Sequence, residues 1–459
     1  MSVSSTRKWW AELAWLGGPD AAGGVLIEAD REGTIVKVQP GSARPDSADV
    51  DVLRGLTLPG LVNSHSHAFH RALRGWTQSH GGDFWSWRQL MYSVAGLLDP
   101  DSYLDLATAV YAEMVLAGIT TVGEFHYLHH DRNGHPYKDH AMEAAVVEAA
   151  ARAGIRLTLI DTCYLAGGFG RDLQGTQIRF SDGSVDAWSD RLASSSARLA
   201  GPTVRFAAGV HSVRAVPRSA MGQVAAYAST SKLPVHAHVS EQPAENDECL
   251  AAHSMTPTQL LSDEGLVGAA FTAVHATHVN ANDVELLGSG RSAVCMCPTT
   301  ERDLADGIGK AAALGEAGAY LCLGSDSHAV IDLFEESRAV ELDERLATGR
   351  RGSHDPVSLL MAATSNGSAS LGWAGGSLEV GAQADFCTLD CSGVEFAGTF
   401  AADGRNAVAA AVFAGSAASV DNVVVAGRTS VRDGEHVGVP DVAGAIRRAV
   451  DALVHGDRR

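Results

Sequence analysis

Cysteine is scarce in this chain, with seven residues in 459, an odd number at no regular spacing. That excludes a disulfide framework and points to reduced thiols in a cytoplasmic setting. Basic residues are also short, 35 Lys and Arg against 54 Asp and Glu, for a formal net charge of -19. So acidic a surface repels phosphate backbones and argues against nucleic-acid binding. It leaves room for an anionic substrate, because a few buried arginines reverse the potential locally. No apolar run approaches the ~20 residues of a membrane span. The N-terminal MSVSSTRKWWAELAWLGG lacks the charged-then-apolar pattern of a signal peptide. Charged residues, at 19% against 46% hydrophobic, are too few for a disordered chain. Neither a short repeat nor a low-complexity tract is present.

What is there divides into flanks and a centre. Residues 1 to 57 read as short strands and turns, with GGVLIEADREGTIVKVQPG alternating apolar and polar. The same texture returns in GSLEVGAQADFCTLD and in NAVAAAVFAGSAASVDNVVVAGRTSV. The expectation is one small β-sandwich domain built from 1–57 plus 375–440, followed by a C-terminal helix over 441–459, where DVAGAIRRAVDALVHG has helical periodicity. Trp9, Trp10 and Trp15 are either core or an interface. Between the flanks, over 58–374, eight short apolar runs alternate with Ala-rich helical stretches: LPGLVNSH, ITTVGEF, IRLTLIDT, VRFAAGVH, VHAHV, FTAVHAT, SAVCMCP and AYLCLGSD. Eight such units predict a (β/α)8 TIM barrel, an α/β fold whose chemistry sits at the C-terminal strand ends. Polar residues fall there repeatedly: His65 and His67, Glu124 and His126, His211, His238, His275 and Asp326.

His65 and His67 stand one residue apart at the end of the first run, so in an extended segment both imidazoles face one side. A catalytic metal site wants about three protein N or O ligands and an open position. His238 supplies a third histidine. Asp326, in GSDSH, is placed to bind the metal and to accept a proton. Glu241, three residues after His238, is either a proton carrier or a loop charge. His275 is the better of the two histidines in HATH for contact with a reacting centre, and His278 belongs to the following loop. Tyr127, His129 and His130 form a polar loop after the second run, read as a substrate loop with a second metal site as the alternative. Cys295 and Cys297 read as strand residues in preference to metal ligands. Arg88 and Arg214 are either solvated or carboxylate clamps.

These residues together resemble the mononuclear deaminase branch of the amidohydrolase superfamily: HSH at the first strand, HVSE at the fifth, His at the sixth, Asp at the eighth. No lysine follows the fourth strand, as a carbamate-bridged two-metal site would need. PGLVNSHSHAFHRALRG, FWSWRQLMY, GEFHYLHHD, GVHSVRAV, HAHVSEQPAENDECL, CPTTERDLADG and GSDSH, spanning residues 59 to about 328, are similar to the formimidoylglutamate deiminases of histidine degradation. The resemblance implies one Zn2+ per subunit, with Fe2+ or another divalent ion as the alternative, held by His65, His67, His238 and Asp326. It implies catalytic roles for Glu241, His275 and Asp326, and substrate contacts from His70, Arg88, Tyr127, His211 and Arg214. One departure stands out: after HAF the family pattern has glutamine, whereas this chain has His70.

The implied reaction is hydrolysis of N-formimino-L-glutamate to N-formyl-L-glutamate and ammonia, by an enzyme acting on C–N bonds of linear amidines. The substrate carries two carboxylates, which two guanidinium forks match. The alternatives are a deaminase of a purine or pterin-like ring, cleavage of the same substrate to glutamate and formamide, and a catalytically dead binding barrel. The expected partner set is a small dicarboxylate and a second copy of the chain in a homodimer, with no nucleic acid and no membrane.

Overall fold

The computed structural model describes residues 6–79 and 82–455. The outermost residues of the two expected flanks, 1–5 and 456–459, lie outside them. Four strands precede the barrel: β1 (Arg7–Ala14), β2 (Ala22–Ala29), β3 (Ile35–Gln39) and β4 (Asp51–Pro59). The barrel strands are β5 (Leu61–Ser66), β6 (Ile119–His126), β7 (Arg156–Cys163), β8 (Val204–Val210), β9 (Val235–Val239), β10 (Phe271–His275), β11 (Ala293–Met296) and β12 (Tyr320–Leu323). Four more follow: β13 (Phe386–Leu389), β14 (Val420–Val425), β15 (Arg428–Arg432) and β16 (Glu435–His436).

β5 to β12 lie side by side in chain order, every ladder parallel. The eight apolar runs are these eight strands. They carry almost unbroken burial, as expected of a parallel sheet covered by helices on the outside and packed within. The first and last strands meet through a bridge between Ser66 and Asp326, with Asp326 N donating to His65 O at 3.1 Å. Closure therefore runs through the residues of chemical interest.

The flanks share one mixed eight-stranded sheet, ordered β16-β15-β14-β13-β4-β1-β2-β3. It curls back so that Ile35 N donates to Ala382 O at 2.8 Å, just before β13. Trp9, Val25, Ile27, Ile35, Leu53, Phe386 and Val424 fill the space enclosed. Trp9 meets Phe386 edge-on at 5.2 Å, and Trp15 is also buried. These two tryptophans are core, and Trp10 is half-buried. Ala407–Ala414 is a helix where the sequence texture suggested a strand. Its valines are interleaved with five alanines, the best helix former, and Ala407, Val408, Ala410, Ala411 and Val412 are all buried. With apolar residues at every position, it has no amphipathic stripe to mark it. The C-terminal helix forms over Val442–His455. No helix of the described residues is long and apolar enough to cross a membrane.

Candidate metal centre and substrate cavity

Three imidazoles and one carboxylate converge at the C-terminal mouth of the barrel. His65 Nε2 lies 3.1 Å from His67 Nε2 and from His238 Nε2, and His67 Nε2 lies 3.4 Å from His238 Nε2. Asp326 Oδ1 is 3.3 Å from the Nε2 atoms of both His65 and His67. His67 Nδ1 donates to Phe125 O at 3.0 Å and His238 Nδ1 donates to His211 O at 2.8 Å. Those bonds fix the tautomers, leaving lone pairs on both Nε2 atoms. Bare lone pairs 3.4 Å apart in a buried site repel one another. A cation between them turns the repulsion into coordination, so the donor set fits a divalent metal. Burial lowers the pKa of all three histidines, which keeps them neutral, as ligands must be. Burial opposes the charge on Asp326 too, yet its hydrogen bond with His65 and the charge of His275 hold it well below the usual carboxylate range.

The backbone supports this convergence at a cost. Ser240, His275, Ala276, Asp326 and His328 all have positive φ, between 40° and 70°. Each such residue costs of order 1–3 kcal/mol, and their clustering at strand ends is typical of functional sites. Glu124, read only as a strand-end polar residue, pins the first loop. Its oxygens accept from Ser66 Oγ at 2.7 Å, Ala68 N at 2.7 Å and Tyr103 Oη at 3.1 Å. Burial lifts its pKa to about 7 against the pull of those bonds.

Next to the cluster stands the pair His275 and Glu241. His275 Nε2 is 3.7 Å from Glu241 Oε1 and 3.8 Å from Asp326 Oδ2. That nitrogen is buried without a hydrogen-bond partner among the described residues. Burial disfavours charge on His275, but Glu241, Glu301 and Asp326 outweigh it and raise its pKa well above the usual value. Glu241 is pushed up to about 6, by burial first and by Asp326, with His275 and Arg214 pulling the other way.

A cavity opens above. His67, His238, Asp326 and Glu241 face it from the barrel. All five expected substrate contacts, His70, Arg88, Tyr127, His211 and Arg214, line it. Trp87, Arg88, Met91 and Tyr92 come from the helix Phe84–Leu97, whose start is set by a capping box between Asp83 and Ser86. His70 Nε2 is 3.1 Å from Tyr127 Oη, and burial lowers the His70 pKa to about 3, so its ring is neutral. Arg214 is half-buried, its Nε donating to Glu245 Oε2 at 2.7 Å. Glu245 Oε1 accepts from Ser240 N at 2.8 Å, just before Glu241. Arg88 makes no ion pair among the described residues. Its Nε donates to Tyr92 Oη at 2.6 Å.

Several polar residues lie elsewhere. His278 bonds Asp306 O at 2.8 Å, in the loop as expected. His129 and His130 do not line the cavity. They sit behind it, near Glu143 and Asp182. His126, His129 and Glu143 form a second buried group with ligand atoms within 4.8 Å of one another. A cation already sits beside it: Arg191 Nη1 donates to Glu143 Oε1 at 2.8 Å and the guanidinium also pairs with Asp161 and Asp182. Cys295 is a buried strand residue paired in register with Cys322, and Cys297 follows that strand. Sequence reasoning missed Tyr92, Tyr164, Gln177, Glu245, Glu301 and His328. Of these, only Tyr92, four residues after Arg88, and Glu245, four after Glu241, carried a helical-spacing signal.

The comparisons agree with this architecture. The model of the Amidohydrolase family matches residues 56–430. A formimidoylglutamate deiminase of Pseudomonas aeruginosa is 36% identical over 442 residues, covering 94% of this chain and 96% of that protein. An 8-oxoguanine deaminase of the same organism is 30% identical over 448 residues, covering 96% of each. Among solved structures, an amidohydrolase from Brucella melitensis superposes with a TM-score of 0.88 at 29% identity, over 98% of this chain and all of that one. An adenosine deaminase from Xanthomonas campestris with bound zinc shares the fold, with a TM-score of 0.84 at 23% identity and 97% and 98% coverage. A barrel closed through His65 and Asp326, and a family match running across it and into the composite sheet, lead to one conclusion: this chain belongs to the amidohydrolase family.

Proposed function

We propose that this chain hydrolyses N-formimino-L-glutamate to N-formyl-L-glutamate and ammonia, with one Zn2+ per subunit. The observation that carries the reading is a single cavity walled by two arginines, Arg88 and Arg214, over a cluster of three histidines and an aspartate. A substrate with two carboxylates uses two planar forks. A purine ring has no use for them. The 36% identity to a protein named formimidoylglutamate deiminase supports the same choice.

In this proposal His65, His67, His238 and Asp326 hold the metal, and a cation bound there supplies Lewis acidity that brings the pKa of water toward ~7. The chain's own groups manage the proton traffic and the substrate. Asp326 Oδ2, the oxygen on the His275 side, accepts a proton from the attacking water. His275 donates from its unpartnered Nε2 to the oxygen that gains charge at the attacked carbon. Glu241, with a pKa of about 6, is poised to exchange a proton near neutral pH and delivers one to the departing nitrogen. Arg88 and Arg214 hold the carboxylates, and His70, Tyr127 and His211 orient the head. The C–O bond forms, the bond to the terminal nitrogen breaks, and ammonia leaves. The homodimer expected from the sequence belongs to the proposal, with light scattering as its test.

The test is ammonia release from N-formimino-L-glutamate by zinc-loaded protein, with the organic product identified by mass. Ammonia with N-formylglutamate supports the reading. Formamide with glutamate would show that the other C–N bond breaks. The second reading, a purine-ring deaminase, is favoured by the 30% identity to an 8-oxoguanine deaminase. It would replace the first if 8-oxoguanine released ammonia and the formimino compound did not.

A further inference from the structure

Arg88 differs from Arg214 in how it is held. Arg214 is anchored by a buried carboxylate, that of Glu245. Arg88 has no such anchor among the described residues, and a free arginine side chain loses about 2 kcal/mol of rotamer entropy when fixed. Its positioning comes from neutral groups. The guanidinium carbon lies 5.2 Å from the Tyr92 ring centre and 5.6 Å from that of Trp85. These are cation–π distances, and the two rings flank Arg88 at i−3 and i+4 of one helix. Arg88 Nε donates to Tyr92 Oη at 2.6 Å.

Tyr92 Oη is in turn engaged by a buried amide from another segment. Gln177, in the 3-10 turn Gly175–Phe180, donates from Nε2 to Tyr92 Oη at 3.2 Å and to Tyr164 Oη at 3.0 Å. The amide orientation is set on its other side, where Gln177 Oε1 accepts from Gln174 N at 2.9 Å. Both phenol oxygens therefore act as acceptors from Gln177, and Tyr92 accepts from Arg88 as well. Their two O–H protons point elsewhere. If one phenol donates to the other, one proton still remains, and both rings line the substrate cavity beside Arg88. A guanidinium and a hydroxyl donor side by side make a carboxylate cradle.

We propose that Tyr92, Gln177 and Tyr164 form, with Arg88, one carboxylate cradle: Gln177 and Tyr92 are positioning residues for Arg88, and a tyrosine hydroxyl adds a second donor to the same substrate carboxylate. This rests on the dicarboxylate reading above. It explains why an arginine with no acidic partner among the described residues still has a defined place on the cavity wall, and why a buried glutamine bridges two tyrosines there.

The test compares wild type, Tyr92→Phe, Tyr164→Phe and Gln177→Leu, each zinc-loaded, by kcat and KM on N-formimino-L-glutamate and by the inhibition constant of glutarate, a dicarboxylate with no reacting head. Tyr92→Phe keeps the ring under Arg88 and removes only the oxygen. The expected result is a KM and a glutarate inhibition constant both raised about tenfold or more in Tyr92→Phe and Gln177→Leu, with kcat within threefold of wild type. Thermal melts identify any variant that fails to fold, and the conservative Tyr92→Phe then decides. Unchanged KM, or a fall in kcat with KM unchanged, in a folded Tyr92→Phe would overturn the cradle. Turnover by wild type, with these constants unmoved, overturns the cradle alone. A wild type that neither turns over the formimino compound nor binds glutarate overturns the dicarboxylate reading and the cradle together.

Discussion

Replacing Arg214 by methionine tests two consequences of one buried ion pair. The Arg214 side chain is 10% exposed and its partner Glu245 1%. Removing the guanidinium leaves the Glu245 carboxylate buried, its Oε2 without a partner. Breaking one side of a buried pair costs about 3–5 kcal/mol. At roughly 2 °C per kcal/mol for a large domain, the melting temperature should fall by about 6–10 °C. Separately, the substrate loses a charge-assisted contact, of about 1.5–3 kcal/mol. That corresponds to a KM raised about 10- to 150-fold. The two effects separate in the double variant Arg214→Met, Glu245→Gln. Glutamine keeps an acceptor for Ser240 N–H but carries no charge, so most of the stability should return while KM stays high. Differential scanning calorimetry and steady-state kinetics on the zinc-loaded proteins give both readouts. A KM within threefold of wild type in Arg214→Met would refute the carboxylate clamp. Recovery of KM in the double variant would show that the orphaned Glu245, and not the lost substrate contact, had weakened binding.

Glu241→Gln should lower kcat by about 10²–10⁴ with metal content by mass spectrometry unchanged. The wild-type rate should fall as pH rises through about 6, where Glu241 gives up the proton it delivers to the departing nitrogen, and full turnover in the glutamine variant would remove Glu241 from the mechanism. Chelation should abolish turnover and lower the melting temperature, because the cation offsets repulsion among buried Nε2 atoms. An unaltered melt after complete demetallation would count against that account. Glu124 titrates at about 7 in the fold, above the ordinary carboxylate value, so the folded state holds its proton more tightly. Its contribution to stability is therefore greatest below about pH 4.5 and is lost as pH rises to about 7, by roughly 3 kcal/mol at 1.36 kcal/mol per unit. The stability of wild type relative to Glu124→Gln should fall across that window in denaturant titrations, and a difference independent of pH would contradict the assignment.

The barrel was legible because a parallel sheet covered on both sides leaves short, continuous apolar runs, and all eight were visible between LPGLVNSH and AYLCLGSD. The cluster of three histidines and an aspartate was legible for a related reason. His65, His67, His238 and Asp326 each close such a run, and strand ends converge at one mouth of a barrel. The helix Ala407–Ala414 was not legible, since apolar residues at every position leave no stripe to read. His129 and His130 drew attention as a dense polar loop but turned inward to the Arg191 network. Nothing local in HYLHHD distinguishes a loop over a cavity from one behind it.

By itself the sequence determined the eight-unit barrel, the two flanking strand regions that share a sheet, the histidine and aspartate donors, and the two arginines. Each follows from short-range pattern: period, burial of runs, and residue type at run ends. Only the tertiary structure decided that Glu245 anchors Arg214, that Gln177 bridges Tyr92 and Tyr164 beside Arg88, and that Glu301 and Glu241 raise the pKa of His275. Those partners lie 13 to 85 positions apart along the chain. Charge and hydrogen bonding act over a few ångströms, and separation along the chain carries no record of that distance until the barrel has closed.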